Sequence, residues 1–254
     1  MRRLTLAAIL VSLSIHSTAW ASDSLVIHEA SRPDAQGSPA NVVGSTIHST
    51  TWLSLEAHYL RRLKLPWPAR PILIGAGLDL PLFLWGSSGD LDTIRLSVRG
   101  TAEVYRIRWF SLVVDLQSRL GVQDSVLNTS VGWDFQITLA PSFAFESWSI
   151  SPFVAVRQGI ATYVKHGEIV HDAFDDRYPD GQTGVAGPKD GWIAGGNTRI
   201  PFGLAVGVDL SSQFALYGSA GLTWTRSPLG VGMFDAMMLG HWPFFVDLGV
   251  RWRF

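Results

Sequence analysis

The densest group of reactive side chains in the 254-residue chain lies between Lys165 and Arg199. His166, Glu168, His171, Asp172, Asp175, Asp176, Arg177, Tyr178 and Asp180 crowd one stretch there, enough nitrogen and oxygen donors to hold a divalent cation. Their spacing matches no standard site. There is no H-E-x-x-H pair, and the acidic run lacks the regular alternation of a calcium loop. The pattern therefore favours a solvated or internally hydrogen-bonded loop over a metal site built on His166, His171, Asp172, Asp175 and Asp176. The same residues could do acid–base work, with His166 or His171 set beside Asp172 or Asp176. No serine stands near them as a nucleophile, so the stretch is read as non-catalytic and without a cofactor.

A segment this rich in turn formers needs a scaffold. Gly181, Gly184, Gly187, Gly191, Gly195 and Gly196, with Pro179 and Pro188, punctuate residues 165–199 as a long loop, and long loops are often functional. On either side the chain alternates. Leu112, Val114, Leu116 and Leu120 are set against Ser111, Asp115, Gln117 and Arg119; Val131, Trp133, Phe135, Ile137 and Leu139 against Gly132, Asp134, Gln136 and Thr138; Phe202, Leu204, Val206 and Val208 against Gly203, Gly207 and Asp209. The polar face holds Gly, Ser and Thr with Arg and Asp of both signs, and almost no Lys. A soluble sandwich would expose a Lys- and Glu-rich face, whereas this mixture suits the packed, charge-paired lumen of a small barrel. No stretch beyond the N-terminus approaches the roughly 18 apolar residues of a spanning helix. The fold expected is all-β: a transmembrane antiparallel up-and-down β-barrel.

Short links near Arg106 to Trp109, Glu146 to Ser149 and Ser211 to Gln213 read as periplasmic turns. Gly86 to Leu91, Gly121 to Leu127, residues 165–199 and Ser227 to His241 read as extracellular. Eight strands from Arg70 to Phe254 satisfy that alternation. Trp52 to Leu63 can be an amphipathic helix on the membrane surface, which keeps the count at eight. It can also be a strand, and even parity then demands a partner, with Leu25 to Ala30 the candidate; ten strands is the preferred count.

The final strand carries a more specific signal. Phe244, Val246, Leu248, Val250, Trp252 and Phe254 share one face, opposite Phe245, Asp247, Gly249, Arg251 and Arg253. This resembles the C-terminal assembly signal of bacterial outer-membrane β-barrel proteins. The resemblance implies recognition by the barrel insertion machinery and residence in outer-membrane lipid. More faintly, Tyr163-Val164-Lys165-His166, Asp190-Gly191-Trp192 and Gly195-Gly196-Asn197 are similar to a loop pattern in poorly characterised barrels of this size, which implies no activity.

The N-terminus agrees with export. Met1-Arg2-Arg3, an apolar run from Leu4 to Ile15 and Ala19-Trp20-Ala21 form a signal-peptide pattern over residues 1–21, leaving residues 22–45 as an N-terminal segment and 46–254 as the barrel. With no cysteine there is neither a disulfide framework nor a lipoprotein anchor. A net charge of -1 gives no reason to expect a nucleic-acid partner. The reading is an anchor or component of a cell-envelope assembly serving motility, secretion or surface interaction, with other envelope proteins as partners. A narrow channel or transporter is the alternative, and a surface-facing outer-membrane hydrolase the third.

Overall fold

The computed structural model describes residues 22–31, 40–49, 53–63, 72–83, 94–124, 128–177, 190–195, 198–226, 232–234 and 244–254. A helix, α1 (Ser22–Ser31), precedes the strands β1 (Asn41–Ser49), β2 (Leu53–Leu63), β3 (Ile72–Phe83), β4 (Ile94–Ile107), β5 (Phe110–Asp124), β6 (Asn128–Ala144) and β7 (Trp148–His166). After a second helix, α2 (Glu168–Arg177), come β8 (Gly191–Ala194), β9 (Thr198–Asp209), β10 (Phe214–Arg226), β11 (Gly232–Phe234) and β12 (Phe244–Arg253). Apart from the short β8 and β11, ten strands pair antiparallel with their neighbours into a closed barrel. Closure is made by β1 against β12, from Val42 opposite Arg253 to Ser49 opposite Val246. At the seam the Phe254 amide donates to the Asn41 carbonyl at 3.1 Å. Closing the sheet gives each of the ten barrel strands a partner on both sides, the condition for placing strands in hydrocarbon.

The count of ten holds, but one of its strands comes from a different place than expected. Leu25 to Ala30 is helical, within α1, and the strand that completes the parity is β1. The barrel thus begins at Asn41, five residues before the expected boundary. Only Val43 and Ile47 are large apolar residues on the outer face of β1, too few to stand out as alternation. The stretch read as a possible surface helix is β2, paired to both neighbours, with Glu56, His58, Leu60 and Arg62 turned inward. The signal segment and Gly86 to Leu91 lie outside the described residues.

Three short links place one end of the barrel. Arg108 and Trp109 join β4 to β5, with Arg108 at φ 47°, a left-handed conformation that closes the tight hairpin. Phe145 and Trp148 bracket the second link, where the Phe145 amide donates to the Trp148 carbonyl at 2.8 Å. In the third, the Ser211 hydroxyl accepts from the Phe214 amide at 3.0 Å. The opposite end is less regular. β5 runs to Asp124 and β6 starts at Asn128, so the link expected over Gly121 to Leu127 is mostly strand. Residues 165–199 likewise contain α2 and β8, the latter paired with Ala161–Val164 of β7 where β9 no longer reaches.

Candidate functional site: the barrel lumen

Burial along the strands is inverted relative to a soluble protein. Val98 is 61% exposed and Leu248 67%, while Arg251 is 1% exposed and Asp247 fully buried. Leucine, valine and isoleucine cover the outside of every barrel strand, and arginine, aspartate, histidine and glutamine fill the inside. An exposed apolar surface wrapping the whole wall is stable only in an apolar solvent. The chain is a membrane β-barrel.

The outer wall of this membrane barrel carries matching detail. At the short-turn end aromatic rings pack against one another: Trp109 on Phe143 at 5.5 Å, Phe145 on Trp148 at 4.2 Å, and Trp252 on Phe254 at 5.1 Å between centroids. Such a girdle belongs at the level where lipid meets water. An outward hydroxyl, Ser118, accepts a hydrogen bond from the Trp133 indole at 2.9 Å, which satisfies a polar group set among Leu116, Leu120 and Val122 on the outer face of β5.

Inside, three layers of side chains follow one another along the axis. The layer at the short-turn end is built around α1. Val26, Ile27, His28, Glu29 and Ser31 of this helix are all buried. Ile27 joins Val113, Ala140, Phe153, Ala205 and Phe245, an apolar core inside the barrel, and Val26 packs with Val42, Leu60 and Tyr217. Glu29 contacts Arg251, receives hydrogen bonds from Arg253 at 2.8 to 3.2 Å, and has Arg62 at 3.8 Å. His28 is hydrogen-bonded to Ser149 at 2.5 Å and has Asp209, itself paired with Arg251, at 3.5 Å. At the helix C-terminus Arg106 donates to the Ser31 carbonyl at 2.7 Å, the charge a helix C-terminus favours. A ten-residue helix is marginal in water, so these contacts hold it. Gly207 is required where it stands: a Cβ there would overlap the His28 imidazole.

The middle layer lies across β1, β2, β10 and β12. Glu56 sits between His48 at 3.3 Å and His58 at 3.4 Å, and His48 also meets Asp247 at 3.1 Å. Asp247 accepts from the Ser219 hydroxyl at 2.5 Å, while Thr46 joins Tyr217 at 2.5 Å to His58 at 3.2 Å. Gly249 leaves the space that the Tyr217 ring fills. These imidazoles and carboxylates contact one another, and in this layer the Ser219 hydroxyl bonds Asp247 rather than a histidine.

The third layer, toward the long loops, is a run of ion pairs: Arg95 with Asp79 at 3.4 Å, Arg99 with Asp115 at 3.4 Å, and Arg157 with Asp134. Arg119 donates to Gln136 at 2.8 Å. The inward charges expected from alternation are thus paired across strands, and Glu103 pairs with Arg106 near the turn beneath.

The residues of the 165–199 stretch are arranged differently. His166 ends β7, and its backbone N–H and Nδ1 lie 2.8 and 2.9 Å from one oxygen of Asp190, across the base of the loop. His171 is beside it, ring centroids 6.2 Å apart, and Asp172 is exposed. Asp175 and Asp176 belong to α2, with side chains outside the described residues. Among the described residues no group of three or more His, Asp or Glu side chains could hold a metal ion. Hydrogen bonds from the His166 backbone and ring hold the Asp190 carboxyl below its usual range. A lowered folded-state pKa means that the contact stabilises the loop above the unfolded value and is lost as pH falls through the folded one. Amide exchange at His166 should therefore stay protected from neutral pH down past about 4 and rise only in stronger acid. Loss of protection already near pH 6 would contradict this.

Neither α1 nor its pocket was visible in the alternation. The signals present were Val26, Ile27 and Ala30 at helical spacing and Pro33 just beyond, a stop signal for a helix.

No protein-family model and no curated protein matches the chain. Similar solved structures include KdgM porin, at 7% identity over 84% of this chain and 99% of that one, with a TM-score of 0.37. Ail, the attachment invasion locus protein of Yersinia pestis, is similar at 11% identity over 85% and 99%, again with a TM-score of 0.37. KdgM porin in complex with disordered oligogalacturonate is similar at 8% identity over 84% and 99%, with a TM-score of 0.37.

Proposed function

We propose that this chain is a closed, non-catalytic barrel of the Gram-negative outer membrane, exported through its N-terminal signal and acting as an anchor within a cell-envelope assembly. The observation that carries the reading is α1, seated in the lumen on an apolar core and on Glu29 with three arginines. Above it the His48–Glu56–His58 cluster and the arginine pairs project into the lumen and narrow it. A barrel this narrow is filled by its own side chains, and the helix adds a further barrier to solute. What such a barrel offers a partner is its rim, and residues 165–199 are its largest extension.

Two measurements test this. In planar bilayers the protein should give no large, stable conductance, and a steady open level would overturn the closed-barrel reading. From detergent extracts an envelope protein should co-purify, and replacing residues 178–189 by a short turn should abolish that association. Retention through the shortened loop would remove the role assigned to it.

A second reading, a gated narrow channel, is favoured by one feature. α1 is held by polar contacts and a small apolar patch and forms no part of the wall, so a stimulus that weakened Glu29 could release it.

A further inference from the structure

α1 points into the barrel with its N-terminus leading. At the other end of the helix the Ser31 carbonyl accepts from Arg106, close to the β4–β5 hairpin, at 2.7 Å. Earlier residues of the helix have deeper neighbours. On β7, His28 is bonded to Ser149, beside a short turn, whereas Ile27 shares its apolar cluster with Phe153, farther along the strand. On β12, Glu29 is held by Arg253 and Arg251 at the strand's end, whereas Ile27 is clustered with Phe245 near its start. β1 agrees, because it begins at Asn41, which is bonded to Phe254. The chain thus leaves α1 and enters the wall at one and the same end of the barrel.

Val26 is buried with Val42, Leu60 and Tyr217, and Ser22 lies about 6 Å beyond it along the helix at roughly 1.5 Å per residue. From Val42 to Ser49, β1 continues for about 23 Å of strand in the same direction, so Ser22 ends well inside the wall. Any chain joined to the Ser22 nitrogen therefore starts within the lumen. Turning back is blocked, since α1 packs against β3 to β7, β9, β10 and β12 around the circumference. Going forward means crossing the layer of His48, Glu56, His58 and Asp247, all buried and bonded to one another. Beyond it stand the arginine–aspartate pairs.

We propose that α1 seats only in a chain whose N-terminus has been freed at or close to Ser22, so that removal of residues 1–21 is the step that closes the barrel. Hydrolysis of the Ala21–Ser22 amide by a signal-cleaving protease of the envelope adds water across that bond and leaves an Ala21 carboxylate and a Ser22 ammonium. Before it, the strands form the same wall, with α1 outside the short-turn end and the lumen open. After it, the helix enters and Glu29 reaches its arginines. The inference rests on the reading of residues 1–21 as an export signal and adds to it a structural consequence of their removal.

The test compares three chains folded in detergent and then reconstituted in planar bilayers. The first begins at Ser22 behind an initiating Met. The second extends Ser22 by a Gly/Ser segment as long as residues 1–21 that ends in a specific protease site. The third carries the same segment inserted after residue 36, on the short-turn side of α1. All three should show the same strand content by circular dichroism. The first and third should be silent, and the second should conduct until its extension is trimmed by the protease, when it too should fall silent. An extended chain as silent before trimming as the first, or conducting unchanged after trimming, would overturn the proposal. So would an extended chain that forms no barrel, because the wall would then depend on α1. Conduction by the third chain would show that added length on either side unseats the helix, and would overturn the direction assigned to it. Conduction by the first would remove the closed barrel itself. The Gly/Ser segment keeps these outcomes apart from the export reading, which fails separately if protein recovered from outer membranes retains residues 1–21 by intact mass.

Discussion

Replacing Glu29 by Gln should open the barrel. The substitution keeps shape and removes the one carboxylate that Arg251, Arg253 and Arg62 share. Breaking a buried ion pair from one side typically costs 3–5 kcal/mol, since the stranded cation keeps its desolvation penalty. Arg251 retains Asp209, which places the expected loss toward the lower end, about 3 kcal/mol. The barrel wall has its own hydrogen bonds and its own lipid-facing surface, so the cost should fall on the seating of α1. Three results are expected together: protease cleavage within residues 22–40 in the folded barrel, an intermittent conductance absent from the parent, and a strand content unchanged by circular dichroism. Gly207→Leu reaches the same end sterically, by filling the space of the His28 ring. A Glu29→Gln protein as silent and as protease-resistant as the parent would show that the helix is not held by this charge cluster.

The second large effect lies on the outside. Leu248 sits midway along β12, opposite Ile47 and Gly218, with its side chain on the apolar face. Arginine at that position should destabilise the inserted barrel by about 2–4 kcal/mol, as a cation near the bilayer midplane does on other barrels. Asp247→Asn, one residue along and inward, acts through a different cause: it weakens the bonds to His48 and Ser219 and leaves lipid contact untouched. Urea titration in lipid vesicles separates the two. The Leu248→Arg penalty should shrink when the same protein is unfolded from detergent micelles, and the Asp247→Asn penalty should not. Equal losses in both media for Leu248→Arg would argue against this face meeting hydrocarbon.

Alternation made the barrel readable from residues alone, because a strand whose two faces meet different solvents must repeat with period two. The strands from β3 to β7, and β9, β10 and β12, declared themselves that way, down to Phe245 turning inward beside Asp247. β1 did not, since Asn41 and Ser45 leave only Val43 and Ile47 as large apolar residues on its outer face, and the closure of the barrel, not its composition, makes it a strand. Trp52 to Leu63 carried both periods at once, and pairing with β1 and β3 decided between them. The charged loop was visible as composition, but that His166 binds Asp190, 24 residues away, depends on where β7 ends and the chain returns.

What the amino-acid order determined unaided was the solvent: apolar residues at alternate positions ending on Phe254, with polar partners between them, specify a wall with lipid on one side. What the tertiary structure alone decided was the content of the lumen. Val26, Ile27 and Glu29 are ordinary residues in a short, weakly amphipathic segment, and the helical spacing of Val26, Ile27 and Ala30 with Pro33 beyond is too weak a signal to hold a helix there alone. They become one when ten strands close around them, because only then do an apolar patch and three arginines from distant strands converge on a single turn of chain. Burial supplies the free energy that helix propensity lacks, and it exists only after closure.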